Sequence, residues 1–351
     1  MTLANLTRHA GEWLRGAGPM HDVVISSRVR LARNLAGMPF LSRCNDTQKQ
    51  EILDRLKGEI LQAGVAPKVF YVDVDAASDL DQALLVERHL ISHPLAQADH
   101  PRGVAISENE TAAIMVNEED HLRLQVLRSA LQLNEAFEEI NRIDDLLEQR
   151  VDFAFSSRFG YLTACPTNVG TGLRVSVMLH LPALKLSGEI DRAFRAARDM
   201  RLAIRGLYGE GTEAMGDFFQ VSNQVTLGRS EQQIVDDFVN DIVPHFLQYE
   251  RRAREELLKN NRTEIDDKVF RAAAVLRAAR RISSEETLYL LSLARLGVNL
   301  ERIRDIELKT LNELFLLTLP AHLQKIHGRS LDAPRRAEVR AEFIRRRLGG
   351  E

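Results

Sequence analysis

Four segments of the 351-residue sequence concentrate polar and charged residues where short strands are expected. They span residues 26–30, 117–123, 165–174 and 205–213, and they read SSRVR, NEEDHLR, CPTNVGTGLR and RGLYGEGTE. Each segment contains at least one arginine. Guanidinium groups bind phosphate oxygens in pairs of hydrogen bonds and stay charged at any working pH. The pattern therefore indicates an anion-binding site built from arginines.

Arg28 and Arg30 are two residues apart in a strand-like context, so their side chains are expected on one face of a sheet. For any one of these arginines, a solvated ion pair is the commoner explanation. Several of them at polar or glycine-rich strand ends favour anion binding, because glycine lets the backbone approach a ligand closely. Five arginines make up this predicted phosphate clamp: Arg28, Arg30, Arg123, Arg174 and Arg205.

Carboxylates lie within a few residues of these arginines. Glu118, Glu119 and Asp120 form one run, and Glu210 and Glu213 flank a glycine turn. Carboxylates beside a phosphate clamp repel the phosphate unless they hold a metal ion or a cationic substrate. Two interpretations follow from the residues alone: ligation of Mg²⁺, or binding of a guanidinium or amine that attacks the phosphorus.

Composition excludes several classes of protein. The 47 basic residues comprise 39 Arg and 8 Lys, a bias that a GC-rich genome explains in large part. The chain contains no G-x-x-x-x-G-K-[ST] P-loop and none of the protein-kinase motifs. Its two cysteines, Cys44 and Cys165, are too few for a disulfide framework or a cysteine-based metal site.

The N-terminal segment lacks the apolar stretch of a signal peptide, and no apolar run approaches the roughly 18 residues of a membrane helix. We therefore expect a cytoplasmic protein. The net charge of −3 does not suggest a general polyanion-binding protein.

The periodicity of the first 250 residues predicts an α+β fold with an antiparallel sheet flanked by helices. Helices are expected at 3–14, 47–63, 131–150 and 187–201, and strands at 22–26, 69–74, 103–126 (three short strands), 173–179, 203–208 and 218–227. Beyond the capping-box pattern at Ser230 no strand is expected. We predict two domains, a catalytic domain at 1–255 and a small all-helical C-terminal domain at 256–351.

The four segments resemble the catalytic motifs of the phosphagen (guanidino) kinases. SSRVRLARN resembles the first arginine motif of that family, and NEEDHLR, CPTNVGTGLR and RGLYGEGTEA resemble its later motifs in the same order. The resemblance covers roughly residues 22–250. It is closer still to the bacterial protein arginine kinases of the McsB type, which lack the preceding helical domain and carry a helical C-terminal domain, as is expected here.

The resemblance implies roles for individual residues. Glu119 and Glu210 match the two glutamates that hold the acceptor guanidinium, and Cys165 matches the cysteine beside the acceptor. No protein ligand to a metal is assigned. The residues that match nucleotide-binding positions are Ser26, Ser27, Arg28, Val29, Arg30, His89, Arg123, Arg174, Val175, Ser176, Val177, Met178, Arg205, Gly206, Leu207, Tyr208 and Gly209.

A pair of carboxylates suits the chemistry of a guanidinium acceptor. A guanidinium has a pKa above 12 and is a poor nucleophile while it is protonated. Two carboxylates can fix its plane, and one of them can accept its proton during attack. We predict Glu119 as the base and Glu210 as its orienting partner, although the sequence alone does not separate these roles.

The basic C-terminal segment matches a second motif less completely. McsB-type proteins carry R-D-x-x-R-A, which binds phosphoarginine away from the active site, whereas this chain reads Arg336-Ala337-Glu338-Val339-Arg340-Ala341. We predict that Arg336 and Arg340 bind the phosphate. With the aspartate replaced by alanine, Glu338 or Asp332 would have to contact the guanidinium. A basic amphipathic surface helix is the alternative.

The sequence thus predicts a kinase that uses ATP and Mg²⁺ to phosphorylate arginine side chains of proteins. The resemblance implies as partners a heat-shock repressor of the CtsR type as substrate, a Clp ATPase of the ClpC type, an activator of the McsA type and a second copy of the chain in a homodimer. It implies no membrane and no direct nucleic-acid partner. Three alternatives remain at this point: a small-guanidine kinase, a non-catalytic phosphoarginine-binding Clp adaptor, and nucleic-acid binding by the basic tail.

Overall fold

The computed structural model describes residues 3–206 and 215–350. One antiparallel sheet of eight strands has the order β2-β3-β4-β5-β1-β8-β10-β9, and a separate two-stranded hairpin is formed by β6 and β7. The strands are β1 Val24–Arg33, β2 Val69–Asp73, β3 Gly103–Ser107, β4 Ala112–Val116, β5 Leu122–Ser129, β6 Phe155–Ser156, β7 Gly160–Tyr161, β8 Leu173–His180, β9 Leu202–Gly206 and β10 Phe218–Asn223.

Helices flank this sheet and make up the C-terminal region. They are α1 Asp46–Gln62, α2 Asp79–Glu87, α3 His93–Gln97, α4 Leu133–Glu148, α5 Pro182–Leu186, α6 Ile190–Asp199, α7 Glu231–Asp237, α8 Val243–Asn260, α9 Arg262–Ala278, α10 Ser284–Asn299, α11 Leu308–Leu317, α12 Pro320–His327 and α13 Ala333–Leu348. The predicted α+β class with a helical C-terminal region is confirmed. None of the described helices has the length and apolar character needed to cross a membrane.

The two faces of the sheet differ in what covers them. One face packs its alternating apolar residues, such as Val29, Val126 and Val177, into a core under α1, α4, α6 and α7. On the other face, α2 covers the strands at the β2 side, and the helical C-terminal region packs against Met178 and Phe218. Between these two coverings the central strands present polar side chains, which are the candidate site.

Arg33 shows how the end of β1 is fixed to α4. Its guanidinium is 1% exposed and donates to Asp144, with Nη2 2.6 Å from Oδ2. The same group stacks 3.5 Å above the ring of Tyr161 and donates to the carbonyl of Thr171. Arg33 therefore holds together the strand, a flanking helix and the loop that contains Cys165.

We expect Arg33→Leu to lower the free energy of unfolding by about 3–5 kcal/mol, because it leaves the Asp144 carboxylate buried without its partner. Urea denaturation monitored by circular dichroism measures this. The double variant Arg33→Leu/Asp144→Leu should lose less than the single variant. A double variant that is less stable than Arg33→Leu would contradict this interpretation of the pair.

Buried polar contacts attach the helical C-terminal region to the sheet. Arg295 of α10 is fully buried and donates to the carbonyls of His21 and Asp22 and toward Nδ1 of His180. Ser292 donates to Asp217 at 2.7 Å. The C-terminal helices thus continue the packing of the sheet through specific hydrogen bonds as well as through apolar contacts.

Several elements differ from expectation in extent. The predicted helix at 3–14 is two 3₁₀ turns, Leu3–Arg8 and Glu12–Leu14, because Gly11 between them is extended (ψ 166°). The predicted helix at 187–201 starts only at Ile190, and the last strand ends at Asn223. The domain boundary predicted after residue 255 lies within α8, and it stays a prediction.

Candidate functional site

Strand register places the five arginines of the predicted clamp on one face of the sheet. Arg30 lies directly opposite Arg174 on β8, and Arg28 lies opposite Ser176. Arg123 is opposite Ala32, and Arg205 is opposite Gln220. Residues directly opposite each other in antiparallel strands project to the same side. Four neighbouring strands, β5, β1, β8 and β10, together with the edge strand β9, therefore position the cluster.

The side chains around the arginines are mostly hydroxyls and amides. Arg28 donates from Nη2 to Gln220 Oε1 at 2.6 Å and from Nε to Ser176 Oγ at 3.3 Å. Arg174 donates from Nη2 to Ser222 Oγ at 2.9 Å. The amide and hydroxyl that accept from Arg28 orient its guanidinium and carry no charge that would neutralise it.

Electrostatics of the cluster show how closely the charges are packed. Burial in the sheet, and then the nearby Arg174, Arg123 and Arg205, together lower the pKa of Arg28 to about 9. Burial likewise lowers the pKa of Arg30 below its ordinary value, and Arg28 adds to that effect. The positive charges repel one another, and a bound anion with several negative charges relieves that repulsion.

Arg30 has a hydrogen-bonding group that fits such an anion. The described residues supply no acceptor to its buried Nε. Buried polar groups in native proteins are nearly always hydrogen-bonded, and the exceptions commonly mark binding sites. A phosphate oxygen is the acceptor that this position suits best.

A cavity of about 590 Å³ adjoins the cluster. Arg174 and Arg205 line it together with Asn168, Asn223 and Thr226. Its volume lies within the range of small-molecule and cofactor pockets. The residues present therefore fit a nucleoside triphosphate, with its phosphates on the arginines.

Glu119 lies at the edge of this arginine cluster, in the turn between β4 and β5. Its side chain is 45% exposed, and Oε2 accepts from Arg123 Nη2 at 3.2 Å. The neighbouring Glu118 is buried and is held by Arg123 and Ser92, each at 2.6 Å. Burial raises the pKa of Glu119, with Arg123 opposing that shift. Of the two glutamates, Glu119 is the one that an acceptor can reach.

Asp120 connects Glu119 to the cysteine loop. Its Oδ1 accepts from Asn34 Nδ2 and from the backbone N–H of Ala164, both at 2.6 Å. Cys165, the next residue, is half-buried, and its Sγ lies 3.0 Å from Thr167 Oγ1. The sequence analysis included Asp120 only in the acidic run that could bind Mg²⁺ or a cationic acceptor, and it gave no role to Asn34. Their position inside the arginine and NEEDHLR motifs was the available signal.

His89 approaches the cluster from the end of α2. Its carbonyl accepts from Gln125 Nε2 at 2.7 Å, and Gln125 lies opposite Arg30. Its ring packs edge-on against Trp13, with centroids 4.5 Å apart. Burial lowers the pKa of His89 to about 3, and Arg28 and His93 contribute. The imidazole is therefore neutral at physiological pH and adds no charge to the cluster.

The remaining predicted nucleotide residues divide by face. Ser26, Ser176 and Met178 share the face of Arg28, and Gly206 ends β9. The side chains of Ser27, Val29, Val175 and Val177 are buried on the opposite face. Those four side chains stabilise the fold, and their predicted contact with nucleotide stays a prediction. Leu207, Tyr208, Gly209 and Glu210 lie outside the described residues.

The two predicted phosphoarginine ligands lie on α13. Arg340 is 2% exposed and donates to the carbonyls of Thr318 and Ile282 at 2.8 and 3.0 Å. Burial, and then Arg336, lower its pKa to about 10. Arg336 donates to the carbonyl of Leu331. Both guanidinium groups thus donate to backbone carbonyls. The role of this pair in binding phosphoarginine stays a prediction.

The two acidic residues that could replace the missing aspartate also accept hydrogen bonds from other groups. Asp332 accepts from the N–H of Arg335 and caps α13, and Glu338 accepts from the Arg335 side chain at 2.7 Å.

Within residues 3–206 and 215–350, no three His, Cys, Asp or Glu side chains group as a metal site requires. Mg²⁺ commonly keeps several waters and binds substrate phosphates with one or two carboxylates. A Mg²⁺ ion brought by ATP would therefore be held mainly by the phosphates. Of the two interpretations of the acidic run, the arrangement of Glu119 favours binding a cationic acceptor.

Comparison with known proteins agrees with this geometry. The family model "ATP:guanido phosphotransferase, C-terminal catalytic domain" matches residues 51–253, and the model "Protein-arginine kinase McsB C-terminal domain" matches residues 262–350. The chain belongs to the protein-arginine kinase family. The protein-arginine kinase of Halothermothrix orenii is 45% identical over 349 residues, which cover 99% of each chain. That of Bacillus subtilis is 42% identical over 99% of this chain and 96% of its own.

Solved structures share the fold of this protein-arginine kinase family member. A duplicated taurocyamine kinase from Schistosoma mansoni superposes with a TM-score of 0.61 at 24% identity, over 71% of this chain and 36% of that one. A lombricine kinase gives a TM-score of 0.57 at 24% identity, over 71% and 70% of the two chains. The phosphagen kinase-like fold of the sheet is thereby established.

Proposed function

We propose that the protein transfers the γ-phosphoryl group of ATP to the guanidinium groups of arginine residues in proteins. The observation that carries this proposal is the single sheet face on which five arginines lie beside a reachable glutamate. Membership of the protein-arginine kinase family supports the choice of acceptor.

The arginines perform the electrostatic part of the reaction. Phosphoryl transfer depends mainly on positioning and on stabilising negative charge on the phosphoryl oxygens. Arg28 and Arg30 at the centre of the sheet, with Arg123, Arg174 and Arg205 around them, neutralise the triphosphate. A Mg²⁺ ion bound with ATP would supply further charge neutralisation at the phosphates. Because Arg28 is fixed by Gln220 and Ser176, it needs little reorganisation during the reaction.

Glu119 performs the proton transfer in this proposal. The acceptor guanidinium lies against its carboxylate, which orients one nitrogen toward the γ-phosphorus. As the N–P bond forms and the bond to the ADP oxygen breaks, the carboxylate takes the proton from the attacking nitrogen. A raised pKa improves a carboxylate as a base, and burial raises that of Glu119. Glu210 would be the second carboxylate on the acceptor, and Cys165 would lie beside it.

The resemblance to McsB-type proteins supports a wider proposal about partners. In the cytoplasm the protein would phosphorylate a heat-shock repressor of the CtsR type, inactivating it, and would mark other clients for a ClpC-type protease. It would respond to stress with an activator of the McsA type, act as a homodimer and be regulated through Arg336 and Arg340.

Incubation with ATP, an arginine-containing protein and free arginine in one mixture tests the proposed acceptor. We expect the intact mass of the arginine-containing protein to increase by whole phosphoryl groups. We expect ³¹P NMR to show no phosphorylation of free arginine. Modification of free arginine or creatine alone would make the enzyme a small-guanidine kinase. The absence of any transfer, together with binding of phosphorylated protein, would make it a non-catalytic adaptor.

A further inference from the structure

The first residues of α12 bind a carboxylate from the end of α2. Glu87 Oε1 accepts from the backbone N–H of Ala321 at 2.7 Å, and Oε2 accepts from that of His322 at 3.0 Å. The same Oε2 lies 2.7 Å from His322 Nδ1. His322 is fully buried. A residue of the C-terminal region therefore contacts the catalytic sheet's α2 through both its backbone and its ring.

Arg88, the next residue, contacts the other ring nitrogen of His322. Its Nη1 lies 3.2 Å from His322 Nε2, and its Nε and Nη2 donate to Glu110 at 2.8 and 2.7 Å. Since an arginine only donates, Nε2 accepts, and Nδ1 carries the proton that it donates to Glu87. Burial lowers the pKa of His322, which agrees with a neutral ring. The ring of His322 thus contacts the side chains of two consecutive residues, Glu87 and Arg88.

The third residue of this turn reaches the nucleotide side. His89 has a positive φ of 58°, which a non-glycine residue adopts at a cost of roughly 1 kcal/mol. Its carbonyl accepts from Gln125, which lies opposite Arg30 on the arginine face. The turn needs contacts on both sides to keep this conformation, and Glu87 and Arg88 receive theirs from His322.

We infer that His322 is a positioning residue for ATP binding, acting through the Glu87–Arg88–His89 turn. This inference rests on the proposed function in that it takes the arginine face as the nucleotide site. His322 touches neither ATP nor the acceptor. Its removal should loosen the turn, so that His89 and Gln125 no longer hold one arrangement beside Arg28 and Arg30.

Titration calorimetry with ATP tests the inference without requiring phosphoryl transfer. We expect His322→Ala in the full-length protein to weaken ATP binding about tenfold, within the usual range for coupled sites. The KM for the protein acceptor should stay within about twofold. His322→Gln keeps one donor and one acceptor and should restore most of the affinity. Lys325→Ala is the matched control, because it breaks the 2.7 Å Lys325–Asp81 pair between the same two helices.

Two results would overturn the inference. The first is an ATP affinity that is the same in His322→Ala and in the wild type. The second is a His322→Ala variant in which ATP affinity and thermal stability fall and the KM for the acceptor rises together. If His322→Gln restores none of these, the role of His322 is purely structural. Wild-type protein that binds ATP but modifies no arginine would contradict the proposed function, and the calorimetric comparison of ATP affinities among the variants would still decide this inference.

Discussion

Glu119→Gln should reduce the rate of phosphoryl transfer by roughly 10²–10⁴-fold, the usual contribution of a positioned general base. The amide retains the size of the side chain but cannot take a proton from the guanidinium. ATP affinity should change little, because Glu119 lies at the edge of the arginine cluster, where it contacts Arg123. Single-turnover kinetics with radiolabelled ATP measures the rate, and calorimetry measures the affinity.

The pH dependence of the transfer rate tests the role of Glu119 independently. The base must be deprotonated to act, so the wild-type rate should fall as pH falls through the pKa of Glu119. Because burial raises that pKa, the fall should begin above the ordinary carboxyl range. Glu119→Gln should remove this acid limb.

Glu59→Gln is the matched control, since Glu59 is also a partly exposed glutamate paired with an arginine, at 2.6 Å from Arg150. An unchanged rate in Glu119→Gln would remove Glu119 from the catalytic role.

Arg30→Met should weaken ATP binding and stabilise the protein without ATP. A charge-assisted hydrogen bond contributes about 1.5–3 kcal/mol, so we expect a loss of roughly 10–100-fold in affinity. In the absence of ATP, the substitution removes a cation that burial and Arg28 disfavour. Relief of such functional strain commonly adds about 0.5–2 kcal/mol, which thermal denaturation can detect.

Arg128→Met on β5 is the control for both effects. Arg128 lies opposite Ser27, so it projects to the other face, and it pairs with Glu139. It should leave ATP affinity unchanged and should not raise the thermal midpoint. If Arg30→Met melts at a lower temperature than the wild type, or binds ATP equally well, the assignment of this cluster as a phosphate clamp is wrong.

The sequence predicted the architecture. It also predicted that Arg28 and Arg30 share a face, because the alternation of side chains along a strand is a local property. It also identified the motif that contains Glu119. It could not show that Glu118 is buried between Arg123 and Ser92 while Glu119 is reachable, since that difference depends on α3 packing beside the turn.

Longer-range contacts explain the other features that the sequence did not predict. Arg33 belongs to the same motif as Arg28, and its odd spacing from Arg28 already places it on the opposite face. The sequence could not show its partner there, which is Asp144 of α4. Arg340 matches a phosphate-binding motif, yet the packing of α13 turns its guanidinium toward two carbonyls. The function of His322 depends on residues more than 200 positions away, which no local pattern reveals.

In the proposed reaction, the arginine face and Glu119 together deliver a phosphoryl group to an arginine nitrogen. The most direct test is fragmentation mass spectrometry, kept near neutral pH because the P–N bond is acid-labile, on a client protein incubated with ATP and either wild-type or Glu119→Gln enzyme. We expect phosphate on arginine residues with the wild type and almost none with the variant. Phosphate on serine, threonine or lysine, or equal arginine modification by both enzymes, would contradict the account.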